Sequence, residues 1–254
     1  MLYWKTPTSL LAAISITISR ILSALLLLAG TAIADTDTQI TLKPYQAVYS
    51  TKVRGISADM QQTLSKNDQQ QWQVKSYASV LFADIEERAT FTEADNQVIP
   101  LSYDYINQFS SKRNSKLVFN PEQQTVIDRL HSKEYLPLPE NSYDRLSFQT
   151  QLHLDVINTA DFTKKTYHLV DRSKLKTYEV SKLAEETIVT PLGTFTAIKF
   201  KQRRPGKDGH TLIWLAKDRD YFLLRVERIA EGKKEYQINL KSALIDGKTL
   251  TAKE

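Results

Sequence analysis

The sequence contains no cysteine, and only seven of its 254 residues are glycine and eight proline. Without cysteine there are no disulfides, no thiol nucleophile and no thiolate metal site, so apolar burial alone must hold the fold. Glycine this sparse leaves no phosphate-cradling loop, and no serine stands in a G-x-S-x-G setting. Histidine is scarce as well. No two of His131, His153, His168 and His210 stand at a metal-ligand spacing such as i, i+4 on a helix, and each reads as an ordinary polar or half-buried residue. No catalytic set, metal site or cofactor motif is legible.

A concentrated charge of one sign is also missing. The formal charge is +5, and Lys5 and Arg20 are the only charges before Asp35. Between Arg20 and Gly30 runs the apolar stretch Ile21 to Ala29, followed by Ala32-Ile33-Ala34. A positive segment, a short apolar run and a small-x-small tripeptide predict a signal peptide over residues 1–34, cleaved after Ala34. The alternative, a single membrane anchor, fails on length: the run is too short to cross about 30 Å of hydrocarbon, and extending it back through Leu10 to Ile18 buries Arg20. No cysteine follows for lipid attachment. The expected product is exported and soluble, is not a lipoprotein, and has no transmembrane segment after cleavage. Residues 35–254 suit a single domain. They carry 32 basic against 29 acidic residues, a mixed surface unlike that of a nucleic-acid binder.

What is present is period-two alternation. Tyr45, Ala47, Tyr49, Thr51 and Val53 share one face of a strand. Trp72, Val74, Ser76, Ala78 and Val80 repeat the pattern after the polar turn Asn67-Asp68-Gln69-Gln70, and Leu101, Tyr103 and Tyr105 do so after Pro100. Leu117–Phe119 and Gln124–Leu130 read as a hairpin across Asn120-Pro121. Further on, the turns Thr190-Pro191-Leu192-Gly193, Pro205 to Gly209 and Glu231-Gly232-Lys233-Lys234 separate strands Phe195–Arg203, His210–Ala216, Tyr221–Ala230 and Glu235–Ile245. Short loops between alternating strands predict an antiparallel meander. His210–Ala216 is apolar on both faces, which suits a strand covered on both sides. One segment resists the period. Tyr143 to Asn158 follows a proline-rich turn, and Asp144 can cap a helix beginning at Arg145. Leu152, Leu154 and Val156 alternate as a strand would, but the helix is the better reading.

Two features invite a functional reading. Glu87 interrupts the apolar face Ala83, Ile85, Ala89 and Phe91, where a carboxylate is costly unless it is paired or faces a wet cavity. It either lines a ligand site or sits on a bulge that turns it outward; the bulge is the simpler reading. Lys199, Lys201 and Arg203 form a basic stripe opposite Ile198 and Phe200, and Arg204 and Lys207 extend the charge into the next turn. The stripe either attracts an anionic partner or is the solvated face of an amphipathic strand, and the solvated face is the simpler reading. Asp218 and Asp220 flank Arg219 in what reads as a solvated turn.

Thr190-Pro191-Leu192-Gly193-Thr194-Phe195-Thr196-Ala197, Ile213-Trp214-Leu215-Ala216-Lys217-Asp218 and Leu224-Arg225-Val226-Glu227 together resemble the domain-of-unknown-function family 3108. The resemblance extends to Tyr143-Asp144-Arg145-Leu146-Ser147, Pro100-Leu101-Ser102-Tyr103 and Tyr45-x-Ala-x-Tyr49 with Gly55. Two departures concern local turns: a second glycine usual soon after Gly55 is absent near Ala58, and a proline usual in the penultimate strand is replaced around Leu223-Leu224. The resemblance implies an antiparallel β domain exported to the periplasm of a Gram-negative bacterium. It implies no activity, because the family has no agreed catalytic residues.

The expected architecture is mainly β: a curved antiparallel meander, half-barrel-like, with one helix near residues 143–158. The outline is similar to periplasmic lipid and lipoprotein carriers, by architecture alone. The function it favours is a non-enzymatic binding or accessory module of the envelope, holding a lipid or other apolar ligand in a sheet groove. Two rivals stand beside it. One is a hydrolase of an envelope polymer with Glu87 as one of two carboxylates, needing a second acid within roughly 5–10 Å. The other is a structural envelope protein met by a protein partner at the basic stripe.

Overall fold

Alternating residues become strands here because each strand can bury one face against the concave side of a single curled sheet. The computed structural model describes residues 41–252 apart from 54–55, 81–82, 136 and 172–173; the expected signal segment, residues 1–34, lies outside the described residues. The first half of the domain is a meander of β1 (Tyr45–Val53), β2 (Ile56–Lys66), β3 (Trp72–Val80), β4 (Ala83–Ala94) and β5 (Gln97–Asn107), then β6 (Ser115–Asn120), β7 (Thr125–Asp128) and β8 (Lys133–Tyr135). The second half opens with β9 (Ser142–Tyr143) and α1 (Arg145–Asn158). It continues through β10 (Lys164–Val170), β11 (Leu175–Thr190), β12 (Gly193–Arg203), β13 (His210–Ala216), β14 (Phe222–Ala230) and β15 (Lys233–Ile245), with β16 (Lys248–Thr249) folded back on β15.

Among the described residues all sixteen strands join one open sheet, in the order β8 back to β1, then β15 back to β9, with β16 beside β15. The two meanders meet in the middle, where β1 lies antiparallel to β15 with Tyr45 opposite Ile245. Among the described residues every pairing is antiparallel except the short one between β9 and β10. Several hairpins close through two residues with positive φ, among them Asp95-Asn96 (51° and 62°) and Glu231-Gly232 (50° and 71°). That backbone matches the twist of the flanking strands.

The connection from β8 to β9 reveals the curl. It runs from one edge of the sheet to the other. Leu138 donates its N–H to the Gln124 carbonyl beside β7, and the His168 N–H of β10 donates to the Asn141 carbonyl. Three residue steps span at most about 11 Å, so the two edges approach closely there without pairing. This is the curved, half-barrel-like meander expected from the sequence.

The helix lies within the curl. The Asp144 carboxylate caps it, accepting from the backbone N–H of Leu146 and Ser147, both at 2.9 Å, and from the Ser147 hydroxyl at 2.5 Å. Burial pushes the Asp144 carboxyl up to about 6, against those hydrogen bonds. Two side chains tether the helix to both halves of the sheet. Gln151 accepts from the Val98 N–H at 2.6 Å and donates to the Asn96 carbonyl at 2.9 Å. Asp155 accepts from the Tyr167 hydroxyl at 2.6 Å and from Lys165 Nζ at 2.9 Å. Leu146, Phe148, Leu152, Leu154 and Val156 are all buried.

There are two cores. The larger fills the concave side, between α1 and both meanders. The smaller gathers Ala47, Tyr49, Phe195, Ala197, Trp214 and Leu240, among others, with Leu250 beyond the end of β16. As its sequence suggested, β13 serves both: Ile213 and Leu215 belong to the first core, Trp214 and Ala216 to the second.

Candidate functional site

The concave core is not completely filled. Between α1 and the second meander lies a cavity of about 590 Å³, within the range of roughly 300–1,000 Å³ usual for small-molecule sites. Its walls can be read off the strand register, because residues opposite one another on antiparallel strands share a face. One rung across β12 to β15 is Phe200, Ile213, Val226 and Ile238, all apolar, and Ile213, Val226 and Ile238 of it line the cavity. The next rung toward the 204–209 turn is Gln202, Thr211, Arg228 and Tyr236. The floor therefore changes from hydrocarbon to hydrogen-bonding groups within one step along the strands. The α1 side supplies Leu146, Phe148 and Leu152, and the first meander adds Leu64 and Val74.

Cations gather at the polar end. Arg145, Lys176, Arg204, Lys207 and Arg228 all line it, with Asp171 and Asp208 as the carboxylates of the lining. Lys176 pairs with Asp171, Arg145 reaches Glu87 at 3.2 Å, and Arg228 Nε is 3.5 Å from Glu235. Among the described residues no carboxylate forms an ion pair with Arg204 or Lys207. Tyr178 stands in the middle of this group. Burial and the charge of Asp171 raise the pKa of its hydroxyl, while Arg204, Arg228 and Arg145 pull it down. Gly209 makes room for one of the guanidiniums: a Cβ there would fall 2.9 Å from the Ile229 carbonyl oxygen and 3.1 Å from Arg228 Nη2. At the other end of α1, His153 Nε2 donates to the Asp220 carbonyl at 2.6 Å, and Lys43 pairs with the Asp220 carboxylate at 2.6 Å.

Glu87 keeps its place on the inward face. The register runs unbroken through Ser76, Glu87 and Tyr105, and the nearest shift falls between Thr90 and Phe91; the outward-turning bulge is not there. Its carboxylate is held by Arg145 and by the Tyr103 hydroxyl at 3.0 Å, which meets the cost of burial. Glu87 does not line the cavity itself, but it anchors Arg145, which does. The basic stripe faces the other way, onto the second core. Lys199 Nζ lies 2.9 Å from Glu186 and 5.0 Å from the Trp214 ring centroid, with Arg225 5.7 Å from the same centroid and Trp214 Nε1 donating to Glu186 at 2.9 Å. Arg203 makes two hydrogen bonds to Glu179, at 2.8 and 3.1 Å. Lys201 sits between Ser181 and Leu212 in register. The partnered acids remove much of the stripe's positive field. Lys199 and the Trp214 N–H hold Glu186 below the ordinary carboxylate range, and Lys164 and Arg203 do the same for Glu179.

Sequence reasoning attached Arg204 and Lys207 to the basic stripe rather than to this cavity, and gave Arg228, Tyr178 and Tyr236 no functional role. The signal was there, as a polar residue continuing an apolar face at the same end of neighbouring strands, but it appears only once the strands are in register. Among the described residues no three metal-ligating side chains stand together, and no helix is long and apolar enough to cross a membrane.

No curated protein matches the chain. Among solved structures, a beta-barrel-like protein of domain-of-unknown-function family 1849 from Brucella abortus aligns over 81% of this chain and 99% of its own, at 10% identity and a TM-score of 0.55. The fold is therefore shared. The MucA/MucB complex of Pseudomonas aeruginosa aligns over 87% of this chain and 56% of the matched one, at 10% identity and a TM-score of 0.32. The sequence profile described as "Protein of unknown function (DUF3108)" matches residues 28–238, and the chain belongs to that family.

Proposed function

We propose that this domain is a non-enzymatic binding module of the cell envelope, exported to the periplasm, that holds an apolar ligand between α1 and the curled sheet. The observation that carries this reading is the unfilled volume of about 590 Å³ lined by Ile213, Val226 and Ile238 of one apolar rung. Protein interiors are close-packed, and a void of this size is far larger than one side chain's misfit. An apolar guest would recover the dispersion contacts and the burial that the lining lacks. The hydrolase alternative draws no support from Glu87, whose oxygens are engaged by Arg145 and Tyr103.

The test is titration of the purified domain with N-phenyl-1-naphthylamine, a neutral dye that brightens in apolar surroundings. Saturable binding is expected, and Ile213→Trp and Ile238→Trp, which fill the cavity from its floor, should each abolish it. Urea midpoints of both variants establish that they fold. A folded wild-type domain that shows no saturable signal, or folded variants that bind as it does, would overturn the reading.

A further inference from the structure

The cavity's two ends differ, and the difference specifies a ligand. We propose that the guest is a single acyl chain carrying an anionic head, with the chain over the apolar rung and the head held by Arg204 and Arg228 beside Tyr178 and Tyr236. This rests on the cavity being a ligand site, and it deepens that reading by naming the ligand class.

Three observations converge. The first is the register. Apolar Phe200, Ile213, Val226 and Ile238 give way in one step to Gln202, Thr211, Arg228 and Tyr236, so any molecule lying along the strands meets hydrocarbon at one end and donors at the other. The second is charge. Five cations and two carboxylates line the polar end, and these cations are not equally paired. Arg145 and Lys176 are committed to Glu87 and Asp171, Arg228 has one long contact to an exposed glutamate, and Arg204 has no ion pair among the described residues. Guanidiniums without a full complement of acceptors, half-buried beside a cavity, suit a carboxylate or phosphate whose oxygens accept in pairs. Gly209 supports this placement, since any larger residue would press on the Arg228 guanidinium.

The third observation is size. A volume of about 590 Å³ holds about twenty water-sized groups at ~30 Å³ each. That accommodates one fatty acid of roughly eighteen carbons, whereas a two-chain phospholipid is roughly twice as large. The head can be the carboxylate of a free fatty acid or the phosphate of a one-chain lysolipid, and both offer the same anionic acceptors.

The deciding experiment uses cis-parinaric acid, a fluorescent fatty acid, on the wild-type domain and on the double variant Arg204→Gln/Arg228→Gln, each titrated in parallel with N-phenyl-1-naphthylamine. The wild type should bind cis-parinaric acid saturably. The double variant should lose about tenfold or more in that affinity while its dye affinity stays within about twofold, because the dye has no head to lose. The methyl ester of palmitic acid should compete much more weakly than palmitate on the wild type. Competition by palmitate against palmitoyl lysophosphatidic acid then ranks the two sources of the head: a stronger palmitate points to free fatty acid, a stronger lysophosphatidic acid to a lysolipid. Dye binding with unchanged cis-parinaric acid affinity in the double variant, or an ester as potent as palmitate, overturns the anionic-head proposal and leaves the apolar site standing. Absence of dye and cis-parinaric acid binding in the wild type overturns both.

Discussion

Asp155→Ala is the substitution that tests most directly how the helix is held over the cavity. The Asp155 side chain is 9% exposed and gathers three donors: the Tyr167 hydroxyl at 2.6 Å, Lys165 Nζ at 2.9 Å and Gln151 Nε2 at 3.0 Å. The three do not suffer equally when the carboxylate goes. Gln151 keeps its bond to the Asn96 carbonyl at 2.9 Å, so little is lost there. Lys165 is 28% exposed and can rehydrate. Tyr167 is wholly buried, between the rings of Tyr143 and Phe148, and its hydroxyl is stranded. A stranded buried donor costs about 1–3 kcal/mol, and the lost charge-assisted bond to lysine adds about 1. The expected destabilisation is therefore about 3 kcal/mol, or a Tm lowered by roughly 6–12 °C for a domain of this length. Urea unfolding followed by far-UV dichroism measures it, with Tyr167→Phe as the partner variant at about 1 kcal/mol, since Asp155 then retains two donors. The double variant should cost little more than Asp155→Ala alone. If Asp155→Ala costs under about 1 kcal/mol, or the two effects simply add, the carboxylate is not the tether described.

Other perturbations follow from the same geometry. Asp144→Ala removes the helix cap and should cost about 1–2 kcal/mol; an unchanged urea midpoint would contradict the capping role. Gly193 has φ of +114°, and a Cβ there would fall 2.6 Å from the Ala252 Cβ, so Gly193→Ala should destabilise by more than about 1 kcal/mol and speed hydrogen exchange at Ala252, which bonds to the Leu192 carbonyl; normal protection there would refute the contact. Burial lowers the His153 pKa, with Lys43 adding to it, while the Asp220 carbonyl and carboxylate oppose the shift. The unfolded chain therefore takes up a proton more readily than the folded one as pH falls through about 6.5. The His153 contribution to stability, present at pH 7.5, should be lost toward pH 5. It is opposed over the same range by Asp144, whose raised pKa favours the folded state as pH falls; His153→Gln should remove its part of the slope. His168 and His210, also lowered by burial, supply other parts; equal slopes in wild type and variant would remove His153 from the account.

The long strands were legible because each buries one face against a single core, so period two survives in the text. His210–Ala216 matched its observed bounds for the complementary reason, a core on each side. The helix was harder. It is buried on most of its circumference, including Ser147, Thr150, Gln151 and Asp155, so it shows no clean apolar stripe; the cap at Asp144 was the clearer signal. Lys164–Val170 and the early part of Leu175–Thr190 were not singled out, because polar residues on their inner faces, such as Lys165 and Lys176, find partners only across the fold. The site was least legible of all. Arg204 and Arg228 are 24 residues apart and meet only through the pairing of three strands. Glu87 attracted notice for a sound reason, yet its partner Arg145 lies 58 residues away, on an element whose position no local pattern specifies.

The meeting of β1 with β15 has a consequence for how the chain is made. Tyr45 and Ile245 are 200 positions apart, so during synthesis β1 exists long before its neighbour. The first meander can assemble outward through β8 by local hairpins, which close quickly. Throughout that interval one flank of β1 presents a row of unsatisfied N–H and C=O groups, the form of edge most prone to capture a strand from another molecule. Completion waits for Lys233–Ile245. The half-made domain is thus the form that most needs a chaperone, and a ribosome stalled before β15 would hold it there.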